Sequence, residues 1–155
     1  LINVMTGGAN DDPSWLPRSK QVLQSAVQGK YQLTLSAFVI PELAGNGRIR
    51  GDQLPRDVRH ERVTRARDWI NNAGFILVEL DGHIANQAAD LAITNQLKGG
   101  DAVILASAIR AKVDVLYTWD SDLLKLNGEF SFEIAQPPTP GDEGQLDLFG
   151  AAAAS

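Results

Sequence analysis

The stretch GGDAVILASAIRAKVDVLYTWDSD, residues 99–122, decides the fold. Its first half is an apolar helix-like segment from about 101 to 111, and its second half is a β-branched and aromatic run at 113–118. A helix that turns sharply into a buried-type strand is a unit of α/β architecture. Acids mark both parts of that unit: Asp101 heads the helix, and Asp120 and Asp122 lie just past the strand. A helix antiparallel to the strand that follows it starts at that strand's carboxyl edge. Asp101 and Asp120 are therefore expected at one edge of a sheet, where α/β domains bind their ligands.

Outward from this unit the pattern repeats. LINVMTGG reads as the tail of a helix stopped by a Gly pair, and Leu16, Val22, Leu23, Ala26 and Val27 give helical spacing up to Gly29. YQLTLS alternates as a strand over 31–35, and AFVIPELAG is a short helix ended by Gly45, with Pro41 near its start. RDVRHERVTRARDWINNAG is a long polar helix, FILVEL a buried-type strand, DGHIANQAADLAITNQL an amphipathic helix and FSFEIA an edge strand. Strands alternating with helices predict a mainly parallel central sheet covered on both faces, an α/β three-layer sandwich. Residues 1–135 form this domain, and the Pro-, Gly- and Ala-rich residues 136–155 read as a flexible tail.

Composition narrows the chemistry. The chain of 155 residues has no cysteine and two histidines, which removes thiolate sites and leaves oxygen donors for any metal, hence a hard ion such as Mg²⁺ or Mn²⁺. No apolar run reaches the roughly 18–20 residues of a membrane span, and the lack of cysteine suits a cytoplasmic location. The net charge of −5 is unevenly spread: residues 46–67 hold seven arginines against three acids, a local +4 beside −9 elsewhere. That segment, with Arg48 and Arg50 at its start, suits a phosphate backbone or an acidic partner, or is a solvated helix face. GNGRIRG is not a phosphate loop, since no strand precedes it and no Gly-Lys-Ser/Thr follows.

Glu42 is the third acid of interest. It lies among Phe38, Val39, Ile40 and Leu43, where a carboxylate wants a partner. It follows the strand ending at Ser36, so it reaches the same edge as Asp101 and Asp120. Taken singly, Asp101 reads as a helix N-cap, and Asp120 and Asp122 as turn formers. Taken together, carboxylates at one edge repel unless protons or cations intervene, and divalent metal is the usual cation.

SAFVIPELAG, GGDAVILASAI and LYTWDSDLL resemble three motifs of PIN domains, the metal-dependent nucleases that include VapC-type toxins. Ser36 and Glu42, with Leu43 and Gly45, match the first; Asp101 matches the second; Thr118, Asp120 and Asp122 match the third. The resemblance spans about residues 1–135. It implies a PIN-like fold and a metal-dependent endoribonuclease, the toxin of a toxin–antitoxin pair. Its catalytic set would be Glu42, Asp101, Asp120 and Asp122. Glu42, Asp101 and Asp120 would hold Mg²⁺ or Mn²⁺, with Ser36 and Thr118 orienting them. RNA is the implied substrate, with Arg48 and Arg50 guiding its backbone; a cognate antitoxin and a homodimer are the implied partners. The family also has a central strand and a metal-binding aspartate that would lie ahead of Leu1, because LINVM matches the helix that follows them. A catalytically inactive binding module of the same fold is the alternative. In the tail, Gln145, Leu146, Asp147, Leu148 and Phe149 resemble the pentapeptide by which bacterial proteins dock on the sliding clamp. That points to a clamp-tethered DNA-processing nuclease, or to a segment packing on its own domain or a dimer partner.

Overall fold

The computed structural model describes residues 12–139. The tail pentapeptide and the LINVM segment lie outside these residues. The order is α1 (Trp15–Val27), β1 (Thr34–Ser36), α2 (Val39–Gly45), α3 (Gly47–Arg50), α4 (Arg56–Asn72) and β2 (Ile76–Val78). There follow α5 (Gly82–Asn95), α6 (Gly99–Ala111), β3 (Val115–Tyr117), α7 (Ser121–Leu124) and β4 (Glu133–Ala135). This is the α/β order expected, with two additional short helices, α3 and α7. Pro41 sits inside the first turn of α2, where a missing N–H costs nothing because no intrahelical acceptor exists.

Every strand pairing is parallel, but the sheet is in two parts. β1 pairs with β2, Leu35 opposite Leu77, and β3 pairs with β4, Leu116 opposite Ile134. No ladder joins β1 to β3 among the described residues. The strands are also shorter than the apolar runs that announced them, since 31–33 and 113–114 precede β1 and β3.

Two helices span the two pairs. α6 lies on β1 and β2 and then leads into β3. Ala102, Leu105 and Ala106 on it are fully buried at 0% exposure. On α1, Trp15 stacks on Trp119 with ring centroids 4.8 Å apart, and Ser19 Oγ accepts from Trp119 Nε1 at 2.9 Å. Arg18 lies 4.7 Å over the Trp119 ring and donates to the Pro137 carbonyl at 2.6 Å. At the other end of α1, Tyr31 Oη donates to the Val22 carbonyl at 2.6 Å. α1 is thus fastened to the end of β3 and to the approach to β1. The chain stays on the body through the buried Pro137, two residues past the boundary that composition placed at 135.

The interior has two centres. The larger joins α5, α6, α7 and β4 around Ile84, Leu105, Leu123 and Ile134. The smaller gathers Leu43, Ile49 and Ile70 from α2, α3 and α4. No helix among the described residues is long and apolar enough to cross a membrane. Truncating Leu105 to Ala at the centre of the larger core is expected to cost about 2–5 kcal/mol of unfolding free energy. Ile93→Ala, at a side chain 80% exposed, is expected to stay within about 0.5 kcal/mol, both read by denaturant titration.

Candidate active site

Three carboxylates come from the starts of three helices. Glu42 is in the first turn of α2, just past β1, and Asp101 is in the first turn of α6. Both places favour negative charge through the exposed N–H groups of the helix end. Asp101 is not an N-cap: that position is Lys98, whose side chain makes no cap. The Asp101 carboxylate is left for another role. Asp120 does cap its helix, Oδ1 accepting from Asp122 N–H at 2.8 Å and Leu123 N–H at 3.1 Å. The turn-forming reading of Asp120 therefore accounts for one of its two oxygens. Thr118 Oγ1 accepts from the Asp120 N–H at 3.0 Å and sets the angle at which the chain leaves β3.

The acids feel one another. Burial raises the Glu42 carboxyl above its ordinary value, and the charge of Asp101 raises it further. Burial likewise raises Asp101, with Asp120 and Asp122 adding repulsion and Lys98 opposing it. Asp122 behaves differently: Lys125 Nζ donates to it at 2.6 Å and holds its carboxyl below the usual range, on the exposed side of α7. Of the expected acids, the electrostatics couple Glu42 to Asp101 and Asp101 to Asp120, while Asp122 is already paired.

Ser36 meets a different partner from the one expected. Its Oγ accepts from the Phe38 N–H at 3.3 Å and shares a 2.9 Å hydrogen bond with Ser107 Oγ. Ser107 Oγ also lies 2.8 Å from the Val103 carbonyl, within its own helix. The hydroxyl pair ties the end of β1 to α6 beneath the acids. Ser107 was legible only as a polar letter in an apolar helix. Gly100 was missed altogether: a Cβ there would lie 3.3 Å from Glu42 Oε1 and 3.1 Å from Phe38 Cε1. The absent side chain lets Glu42 settle on the start of α6.

Arg48 and Arg50 lie on α3, away from these acids in the chain. Arg50 donates to Asp52 at 2.6 Å and to the Ala44 carbonyl at 3.3 Å. Arg62 of α4 donates to the carbonyls of Ile49 and Arg48. Part of the basic segment therefore holds α3 on α4.

A family comparison matches residues 18–129, more than two-thirds of the chain, to the PIN domain. The chain belongs to the PIN domain family. No curated protein and no solved structure matches it. The matched range contains Ser36, Glu42, Asp101, Thr118, Asp120 and Asp122. PIN domains are generally nucleases that use divalent metals, so hydrolytic cleavage of nucleic acid is the activity class of this fold. The donor chemistry fits such an ion, since the acids are oxygen ligands that repel one another and Lys98 only partly opposes that repulsion at Asp101. The geometry is incomplete: among the described residues no three His, Cys, Asp or Glu side chains stand close enough to form a metal-binding group.

The raised acids make a sign-specific prediction for the metal-free PIN domain. A carboxyl raised on folding favours the folded state when protonated, and that contribution is lost as pH rises through the folded value. Glu42→Gln and Asp101→Asn are expected to raise the melting temperature at pH 7. The gain should shrink as pH falls through the raised values and be gone below the ordinary carboxyl values, 4.5 for Glu42 and 3.8 for Asp101. Thermal scans from pH 3 to 8 in EDTA check this, and variants less stable than the parent at pH 7 would refute it.

Proposed function

We propose that this chain is a divalent-metal-dependent endoribonuclease, the toxin of a toxin–antitoxin pair. The observation that carries the nuclease reading is the repulsion that couples Glu42 to Asp101 and Asp101 to Asp120 at one edge of the fold, only partly opposed by Lys98 at Asp101. The resemblance of SAFVIPELAG and LYTWDSDLL to VapC-type motifs supports RNA as substrate and a small antitoxin as partner.

In this reading Asp101, Glu42 and the second oxygen of Asp120 hold Mg²⁺ or Mn²⁺. When bound, such an ion supplies an activated water and stabilises charge on the phosphorus and the leaving oxygen. Thr118 fixes the backbone of Asp120, and Ser36 with Ser107 fixes the end of β1 against α6. Asp122 is the alternate ligand if Lys125 releases it. Exposed Arg48 meets the RNA backbone by charge, and half-buried Arg50 joins it if Asp52 releases it. A homodimer follows the same resemblance. The clamp-like residues 145–149 suggest a separate tether, for a nuclease acting on DNA.

The binding-module reading is favoured by the absence, among the described residues, of an assembled three-ligand group. Cleavage of a labelled structured RNA separates the two. With Mn²⁺ the parent is expected to cut and EDTA to stop it; Asp101→Asn should lower the rate by about 100-fold or more. Gly100→Ala should cost about tenfold by displacing Glu42, whereas Gly99→Ala, with nothing within 4 Å of its added Cβ, should leave the rate unchanged. Equal cleavage by parent and Asp101→Asn would remove the acids from catalysis.

A further inference from the structure

α6 carries a lysine at each end. Lys112 at its C-cap suits the helix, because the carbonyls exposed there favour positive charge. Lys98 at its N-cap position does not. That end favours negative charge, and the residues that cap it well are Ser, Thr, Asp and Asn. The Lys98 side chain makes no cap, and among the described residues its ammonium takes part in no hydrogen bond or ion pair. Its base is nevertheless fixed. The chain leaves α5 through Gln96 in the left-handed region, φ 54°, and Leu97 turns into the larger core. The Lys98 carbonyl then accepts from Ala102 N–H at 3.0 Å, and its side chain stands exposed.

The charge of Lys98 reaches two acids, Asp101 on its own helix and Asp122 on α7. Lys125 lies beside the same Asp122, to which its Nζ donates at 2.6 Å, and its charge reaches Asp120. The acids run in the order Glu42, Asp101, Asp120, and the two lysines flank the end of that row nearest β3. Arg48 belongs to the other end, on α3, which packs against α2 and α4. Neither lysine neutralises the row, since Glu42 and Asp101 both stay raised. Stability of the helix or of the acids therefore gives no full account of Lys98.

A nucleic-acid strand that crosses a row of carboxylates brings a phosphate on each side of the one being cut, and each needs a cation to meet it. We propose that Lys98, joined by Lys125, holds the backbone phosphate next to the scissile one on the β3 side, so that a single strand of RNA is gripped on both sides of the cut. This rests on the nuclease reading and narrows its substrates to strands that continue past the cut in both directions. A lysine offers a point charge on a flexible stem, so the contact positions the backbone and carries no base identity.

Binding of a short labelled single-stranded RNA, followed by fluorescence anisotropy in EDTA over a salt series, tests this. Every chain carries Asp101→Asn, so that nothing is cut and Lys98 no longer faces the acid on its own helix. Lys98→Met is expected to weaken binding about three- to tenfold at low salt. It should also lower the slope of log K against log salt by about 0.7, the share of one phosphate on a single strand. Lys98→Arg should keep both near the starting chain. Lys112→Met removes the same charge from the far end of α6 and should change neither. Arg48→Met combined with Lys98→Met should lose both contributions, since the side chains meet different phosphates. Equal weakening by Lys98→Met and Lys112→Met would reduce the effect to net charge and overturn the proposal. Unchanged binding by Lys98→Met would do the same, leaving the lysine as a counter-charge to Asp101. So would a combined loss no larger than either single one, which would put both side chains on one phosphate. Cleavage in Mn²⁺ with Asp101 intact is read separately: RNA held through Lys98 but never cut would defeat the nuclease reading while keeping the phosphate contact.

Discussion

The shortness of the parallel ladders, three residues in each pair among the described residues, is the constraint around which this domain is arranged. A parallel pair three residues long has too few ladder bonds to hold itself together, and parallel pairing is slightly weaker per residue than antiparallel. β1–β2 and β3–β4 are therefore kept in place by what crosses them. α6 does this with a fully buried small-residue face, Ala102 and Ala106 beside Leu105, which lets the helix lie close to the strands. α1 does it by fastening, through Trp15, Ser19 and Arg18 at one end and the Val22 carbonyl at the other. The hydroxyl pair Ser36–Ser107 adds a polar tie at the depth where the helix leaves the strand ends.

The same arrangement explains why carboxylates gather where they do. Strands that run one way all end at one edge, and the helices that follow or precede them begin there. An acid in the first turn of such a helix gains from the helix end and loses by burial and by its neighbours. For Glu42 and Asp101 the loss wins, since both carboxyls are raised. A fold that sought only stability would have no use for them. Asp120 and Asp122 are less costly, one occupied as a cap and the other paired with Lys125. The PIN domain thus concentrates its unfavourable charge on the two residues nearest the start of α6.

Much of this was legible in the sequence, and the gaps have physical reasons. The period of residues 101–111 and the apolar run after it gave α6 and β3, and the acid at each end gave the edge. The amphipathic pattern of DGHIANQAADLAITNQL gave α5, whose Asp81 caps it through the Ile84 N–H. The α/β three-layer fold with parallel strands was legible, but a local pattern cannot carry the partner of a strand edge, so the grouping into two parallel pairs among the described residues was not. Nor can it carry a missing atom: Gly100 matters through the Cβ it lacks against Glu42 and Phe38. The α3 and α7 helices escaped notice because each is four residues long and is defined by its cap, Asn46 or Asp120, rather than by a period. The contact of Trp15 with Trp119 joins residues more than a hundred positions apart, and nothing near either one announces it.

The two separate centres of the interior bear on how the molecule opens. The β1–β2 side rests on three buried aliphatic side chains, Leu43, Ile49 and Ile70, and the β3–β4 side on a cluster several times larger. Cooperative units in proteins follow the division of buried apolar contact, and the unit with less of it opens first. Glu42 belongs to the weaker unit and Asp101 to the stronger. A partial opening that released α2 and α4 while leaving α5, α6 and β4 folded would separate the acids by unlatching one half of the domain, a low-lying excited state that dismantles the site without unfolding the chain.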